Sequence, residues 1–193
     1  MAADIEATER YCRQILEKAE EMISMDRFTI FLDIDGVLDV FNPKREIQEL
    51  LPQAVQYLKS LVDRTKADVV IISDWRYGSL QFREKACERG YEKIIPNWDN
   101  LVATFEKAEI QIKDVTPWDD NITNRTGEIK RYLEEHPRIK RYVILDDCFG
   151  DTYESDKEIQ KHLVFVDALK GLQKENLISA CAVMNMQETG ERP

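Results

Sequence analysis

Five short apolar runs punctuate the chain: RFTIFLD at 27–33, DVVIIS at 68–73, EIQIKDV at 109–115, RYVIL at 141–145 and HLVFV at 162–166. Runs of this length, rich in Val, Ile and Phe and with little polar interruption, predict strands buried on both faces. EIQIKDV alternates instead, which predicts an edge strand ended by Thr116-Pro117.

Between the runs the apolar period lengthens to three and four residues. Ile5, Tyr11, Ile15, Leu16, Ala19, Met22 and Ile23 predict a helix over 4–25, with Glu6, Glu9, Glu17 and Glu20 opposite. Pro52 suits a first helical turn, and Ala54, Val55, Leu58, Leu61 and Val62 carry that helix to Thr65. Ser79 is placed to cap a helix containing Phe82, Ala86 and Cys87, with Gly90 at its end. Residues 90–100, broken by Pro96, Asn97 and Asn100, read as irregular before a short helix over 101–107. Further helices are predicted over 126–135 and 172–184.

Strands alternating with helices predict an α/β fold, a Rossmann-like three-layer sandwich around a mostly parallel five-stranded sheet. Residues 1–26 read as an N-terminal helix packed on the core, 27–185 as the α/β domain and 186–193 as a disordered tail. The alternative reading of the N-terminal helix is a partner-binding helix.

The net charge of −10 disfavours broad, non-specific nucleic-acid binding. It does not disfavour one phosphorylated end held by a few local arginines. Four dispersed cysteines and two histidines point away from a zinc site and toward reduced thiols. The acidic N-terminus has no apolar signal core, so a cytoplasmic protein is expected.

In parallel sheets the functional groups collect at the carboxyl ends of the strands. Here those ends carry Asp33 and Asp35, Ser73 and Asp74, and Asp146 and Asp147. Gathered carboxylates are costly unless they are paired or bind a metal, and an oxygen cluster suits Mg²⁺. One carboxylate can attack phosphorus while a second donates a proton to the leaving oxygen and later activates water. Ser73, the backbone N–H groups after it and a cation at a helix start can hold the phosphoryl oxygens. Arg76 reads equally as a phosphate contact or a structural ion-pair former. Trp75 and Trp118 read as core residues or as the lining of the site's mouth. Asp39 either caps the next turn or approaches the substrate.

The segments LDIDGVL, VVIISDWR and YVILDD, in that order, resemble the haloacid dehalogenase superfamily of phosphotransferases. The resemblance implies Asp33 as nucleophile and Mg²⁺ ligand. It implies Asp35 as general acid and base, with its carbonyl on the metal. Ser73 is implied as phosphate holder, and Asp146 as a metal ligand with Asp147 beside it. The family's cation corresponds to Arg125, with Lys130 as the alternative. The intervals 33–73 and 73–125 leave no room for a large cap domain, so the resemblance implies the capless branch with an open site. SDWR, the TP after strand three, R-x-G-E-I and LDD are similar to the small domains of this superfamily associated with RNA repair. The expected function is Mg²⁺-dependent hydrolysis of an exposed phosphomonoester, on a small molecule or a macromolecular end. The alternatives are a polynucleotide 3′ or 5′ end phosphatase and a non-catalytic binding module.

Overall fold

The computed structural model describes residues 27–40, 48–122, 124–148, 151–154 and 156–189. The helix expected over 4–25 lies outside the described residues.

Five strands form one all-parallel sheet: β1 (Thr29–Leu32), β2 (Asp68–Ile71), β3 (Ile112–Val115), β4 (Tyr142–Asp146) and β5 (Leu163–Phe165). Their order is β3-β2-β1-β4-β5, so β1 is central and β3 lies at an edge. The register pairs Leu32 with Ile71 on one side and with Leu145 on the other. Seven α-helices are described: α1 (Pro52–Thr65), α2 (Arg83–Glu88), α3 (Ile95–Lys107), α4 (Arg125–Glu135), α5 (Asp151–Glu154), α6 (Lys157–Gln160) and α7 (Lys174–Thr189). A 3₁₀ turn, Asp74–Gly78, leaves the end of β2.

The pleat divides the strand residues between two apolar layers. Ile30, Leu32, Val69, Ile71, Val143 and Leu145 pack with Leu58 and Leu61 of α1, Leu101 and Phe105 of α3, and Met184 of α7. Phe31, Val70, Ile72 and Ile144 pack on the opposite face with Ile129 and Tyr132 of α4, and with Tyr153 and Ile159. Truncating one such residue, Leu58→Ala for example, costs about 2–5 kcal/mol in lost transfer energy and cavity formation. Phe31 meets Tyr132 and Tyr142 edge-on, with ring centroids 5.7 and 5.5 Å apart.

The five strands stand where the apolar runs placed them, four of them shorter by two or three residues and β4 shifted by one. Three helical expectations change. The chain is already helical at Ile95, because Pro96 falls in the first turn, where no donor is needed. The asparagines that read as breakers clamp a neighbour instead. Asn97 Oδ1 accepts the Gln48 N–H at 3.0 Å and Asn100 Nδ2 donates to the Gln48 carbonyl at 2.9 Å. Ser79 does not cap α2 with its hydroxyl; its carbonyl accepts the N–H groups of Phe82 and Arg83, and its Oγ is buried without a partner. The last helix runs to Thr189, past the point where a tail was expected, because nothing in 185–189 breaks it.

No cap domain stands among the described residues. The interval from β1 to β2 holds α1, and that from β2 to β3 holds the 3₁₀ turn, α2 and α3.

Candidate active site at the carboxyl edge of the sheet

Asp33 follows β1 directly, and its N–H is held by the Leu145 carbonyl at 2.9 Å. The chain then folds into a tight turn over 35–38, in which the N–H groups of Val37, Leu38 and Asp39 converge on the Ile34 carbonyl. Gly36 takes φ +71°, the left-handed region that glycine enters without strain. A Cβ there would lie 2.2 Å from Asp147 Oδ2, so the absence of a side chain is what lets Asp147 approach. Asp39, fully buried, accepts the Gly36 N–H at 3.0 Å. Of its two expected roles the structure favours the turn: Asp39 braces the loop that carries Asp35.

The end of β2 adds Ser73, fully buried, whose Oγ accepts the Trp75 N–H and opens the 3₁₀ turn. Trp75 is core by burial, yet its indole N–H donates to Asp35 Oδ2 at 2.9 Å. It is therefore both a packing residue and a partner of the site.

At the end of β4, Asp146 is fully buried. Its Oδ1 accepts the Cys148 N–H at 2.7 Å, and its Oδ2 accepts the Tyr153 hydroxyl at 2.7 Å. Oxygens of Asp146 and Asp147 and the sulfur of Cys148 lie within 4.8 Å of one another. Burial and Asp146 push the Cys148 thiol up to about 12, so it stays protonated and offers nothing to a hard cation.

Arg125 opens α4, which Asn124 caps by accepting the Gly127 N–H at 2.8 Å. A side chain at Gly127 would collide with Ile122 and the capping Asn124, so this glycine permits the tight start that carries Arg125 forward. Arg125 Nη1 lies 3.0 Å from Asp33 Oδ1 and 2.9 Å from Asp146 Oδ2. Of the two candidate cations, Arg125 is the one brought to the strand ends. Lys130 is half-exposed and pairs with Asp156, a turn further along the helix and outside the cluster.

Of the two readings of Arg76, the structural one matches its surroundings. The side chain is fully buried, and its donors go to the carbonyls of Thr116, Ile72 and Ser73, to Glu128 and to the Tyr77 hydroxyl. Asp74 turns its carboxylate to solvent, 64% exposed, and pairs with Arg76 at 3.3 Å. A carboxylate repels phosphate, so only the main chain of Asp74 suits that ligand.

The electrostatics follow from crowding acids in a dry place. Burial raises the Asp33 carboxyl, Arg125 opposes the rise, and Asp146 and Asp35 add to it. Burial raises Asp35 as well, against the Trp75 hydrogen bond. Burial raises Asp147, with Asp146 adding to it. Burial and Asp35 lift Asp39 to about 7. Burial alone would lower Arg125, but Asp33 and Asp146 hold it well above its ordinary range.

Buried Oδ1 atoms of Asp33 and Asp35 have no hydrogen-bond partner of good geometry. Asp35 Oδ1, unpaired beside the carboxylates of Asp33, Asp146 and Asp147, completes a donor set that fits Mg²⁺, which takes oxygen ligands and keeps several waters. A groove of about 1150 Å³, between α3 and the outer side of β3, contains none of these residues.

Asp33, Asp35, Ser73, Arg125, Asp146 and Asp147 thus come together, while Arg76 and Lys130 do not join them. Tyr153 and Glu128 were not singled out from the residues for any role at the site, and nothing in the sequence paired Trp75 with Asp35. A generic aromatic or acid carries no signal that its partner lies many residues away.

No helix of the described residues is long and apolar enough to cross a membrane. No curated protein matches the chain. The family model described as the HAD domain in Swiss Army Knife RNA repair proteins matches residues 29–177, which spans the whole sheet and every residue of the cluster. The chain therefore belongs to that family of haloacid-dehalogenase domains.

Proposed function

We propose that this protein hydrolyses phosphomonoesters, with Mg²⁺ as cofactor and a phosphoryl group carried on Asp33. The observation that carries this reading is the meeting of Asp33, Asp35 and Asp146 with Arg125 at one sheet edge, with Asp35 Oδ1 buried and unpaired.

Asp33, Asp146, Asp147 and the Asp35 carbonyl would hold the metal, which supplies charge neutralisation at the phosphoryl oxygens. Asp33 Oδ attacks phosphorus, forming the aspartyl-phosphate as the bond to the leaving oxygen breaks. Asp35, whose pKa burial raises, delivers its proton to that oxygen and then takes one from the water that hydrolyses the acyl phosphate. Arg125 offers N–H donors to the phosphoryl oxygens, and Ser73 its hydroxyl. In the resting site Arg125 is held by Asp33 and Asp146, so the cation is already in place when the phosphate arrives.

Turnover of a chromogenic aryl phosphate with Mg²⁺ tests this. Wild type should exceed Asp33→Asn by several orders of magnitude, as expected for loss of a nucleophile. Equal rates would leave a non-catalytic binding module as the surviving account.

A second reading, hydrolysis of a phosphate at a polynucleotide end, is supported by the surface next to Ser73. Tyr77 and Trp118 stack with centroids 4.1 Å apart, and Lys85 Nζ lies 4.4 Å from the Trp118 ring. Tyr91 is half-exposed beside them. Asp120 pairs with Arg89 and Lys85, so the patch offers aromatic area with few uncommitted cations. That suits one nucleotide at an end better than a long phosphate track. Phosphorylated oligonucleotides compared with small phosphomonoesters decide it, and a preference for free sugar or nucleotide phosphates rejects it.

A further inference from the structure

Arg76 has side-chain exposure of 0%, an unusual place for a cation that never leaves its charged form. Its Nε donates to Thr116 O at 3.2 Å. One terminal nitrogen, Nη1, donates to Ile72 O at 2.9 Å and Ser73 O at 3.0 Å. The other, Nη2, reaches Glu128 Oε1 at 2.5 Å. One guanidinium thus joins the end of β2, the end of β3 and helix α4.

Glu128 stands three residues after Arg125, so the two share a face of α4. Its carboxyl feels both Arg76 and Arg125. Charge therefore alternates inward across the site: Arg76, Glu128, Arg125, then Asp33 and Asp146. Behind Ser73 the carbonyl is held by Arg76, while its Oγ is engaged with the next turn. Each contact fixes an element that carries a site residue, and Arg76 has no donor to spare for a ligand.

We propose that Arg76 and Glu128 are positioning residues: the buried pair locks the Ser73 loop to the helix of Arg125, setting the distance between the two groups that face the phosphoryl oxygens. The role in catalysis rests on the phosphatase reading above. Neither residue touches substrate. Fixed spacing matters because donors displaced by about 1 Å can lower a rate about a hundredfold.

The test uses the full chain with Glu128→Gln, which keeps shape and an acceptor oxygen, and Arg76→Lys, which keeps charge but cannot span the carbonyls. Turnover is measured beside wild type and Asp33→Asn. NMR follows the Arg125 Nε–H and the Trp75 indole N–H, which report the two sides of the site. The expected result is a kcat about a hundredfold lower with KM changed less than about threefold, and a shifted Arg125 Nε–H signal in both folded variants. Unchanged kcat and unmoved resonances, with only a lower melting temperature, would make the pair a staple of the fold and overturn the proposal. If wild type turns over no faster than Asp33→Asn, the phosphatase reading itself has failed. The resonances alone then decide whether the pair positions Arg125. Should one variant fail to fold, the other carries the same comparison.

Discussion

The indole N–H of Trp75 donates to Asp35 Oδ2 at 2.9 Å, across 40 residues of sequence. It is a charge-assisted bond in a partly dry setting, and it opposes the rise that burial imposes on the Asp35 carboxyl. Trp75→Phe removes the donor while keeping an aromatic in the core. The Asp35 pKa then rises further. In the proposed mechanism Asp35 is protonated for the first step, so the alkaline limb of the kcat/KM profile should move to higher pH. A pH–rate series on the two proteins checks this, and an unmoved limb would assign that limb to another group.

Arg125→Met leaves Asp33 and Asp146 facing each other without a cation. Removing one partner of a buried ionic cluster costs about 3–5 kcal/mol. The metal-free variant should lose that much unfolding free energy, read as a lower urea midpoint at unchanged slope. Mg²⁺ should restore part of the loss, because it neutralises the same carboxylates. Urea titrations with Mg²⁺ and with a chelator make the comparison.

Gly36→Ala places a Cβ 2.2 Å from Asp147 Oδ2 on a backbone at φ +71°. The left-handed backbone alone costs about 1–2 kcal/mol for a residue with a side chain. For a protein of this size each kcal/mol lowers the melting temperature by about 2–4 °C. Asp147 must also move, so stabilisation of the variant by Mg²⁺ should shrink. Thermal melts against Mg²⁺ concentration read both effects.

Asp39 is held at about 7 in the folded protein by burial and by Asp35. An unfolded Asp loses its proton near pH 4. The folded chain therefore keeps a proton that the unfolded chain has released between those values. The stabilisation is complete below about pH 4 and is lost as pH rises through about 7. Over pH 5.5 to 7.5 the urea midpoint of the metal-free wild type should fall. Asp39→Asn keeps an acceptor for the Gly36 N–H and cannot titrate, so its fall should be smaller. Equal slopes would place the titration elsewhere.

Much of this protein was legible in its residues. The apolar runs predicted all five strands and their parallel arrangement, because burial on both faces of a sheet leaves a local signature in sequence. The edge position of β3 showed in its alternation. Acids at the ends of core strands marked Asp33, Asp35, Asp146 and Asp147 as a cluster, since a carboxylate in that place is tolerated only with a partner. The family followed from the same residues.

What tertiary structure decided was the identity of partners. Arg125 and Lys130 both lie near the start of α4, and only the phase of that helix against β1 and β4 gives the site to Arg125. Arg76 reads equally as a phosphate contact or an ion-pair former from SDWR, and the structure gives its donors to three carbonyls and Glu128, from directions that no local pattern encodes. Asn97 and Asn100 look like helix breakers until Gln48 is beside them. Trp75 and Tyr153 become neighbours of Asp35 and Asp146 only after β2 and β4 are laid on either side of β1. Residue type and period fix what a segment buries. Which donor meets which acceptor depends on distances between segments, and those exist only in the folded chain.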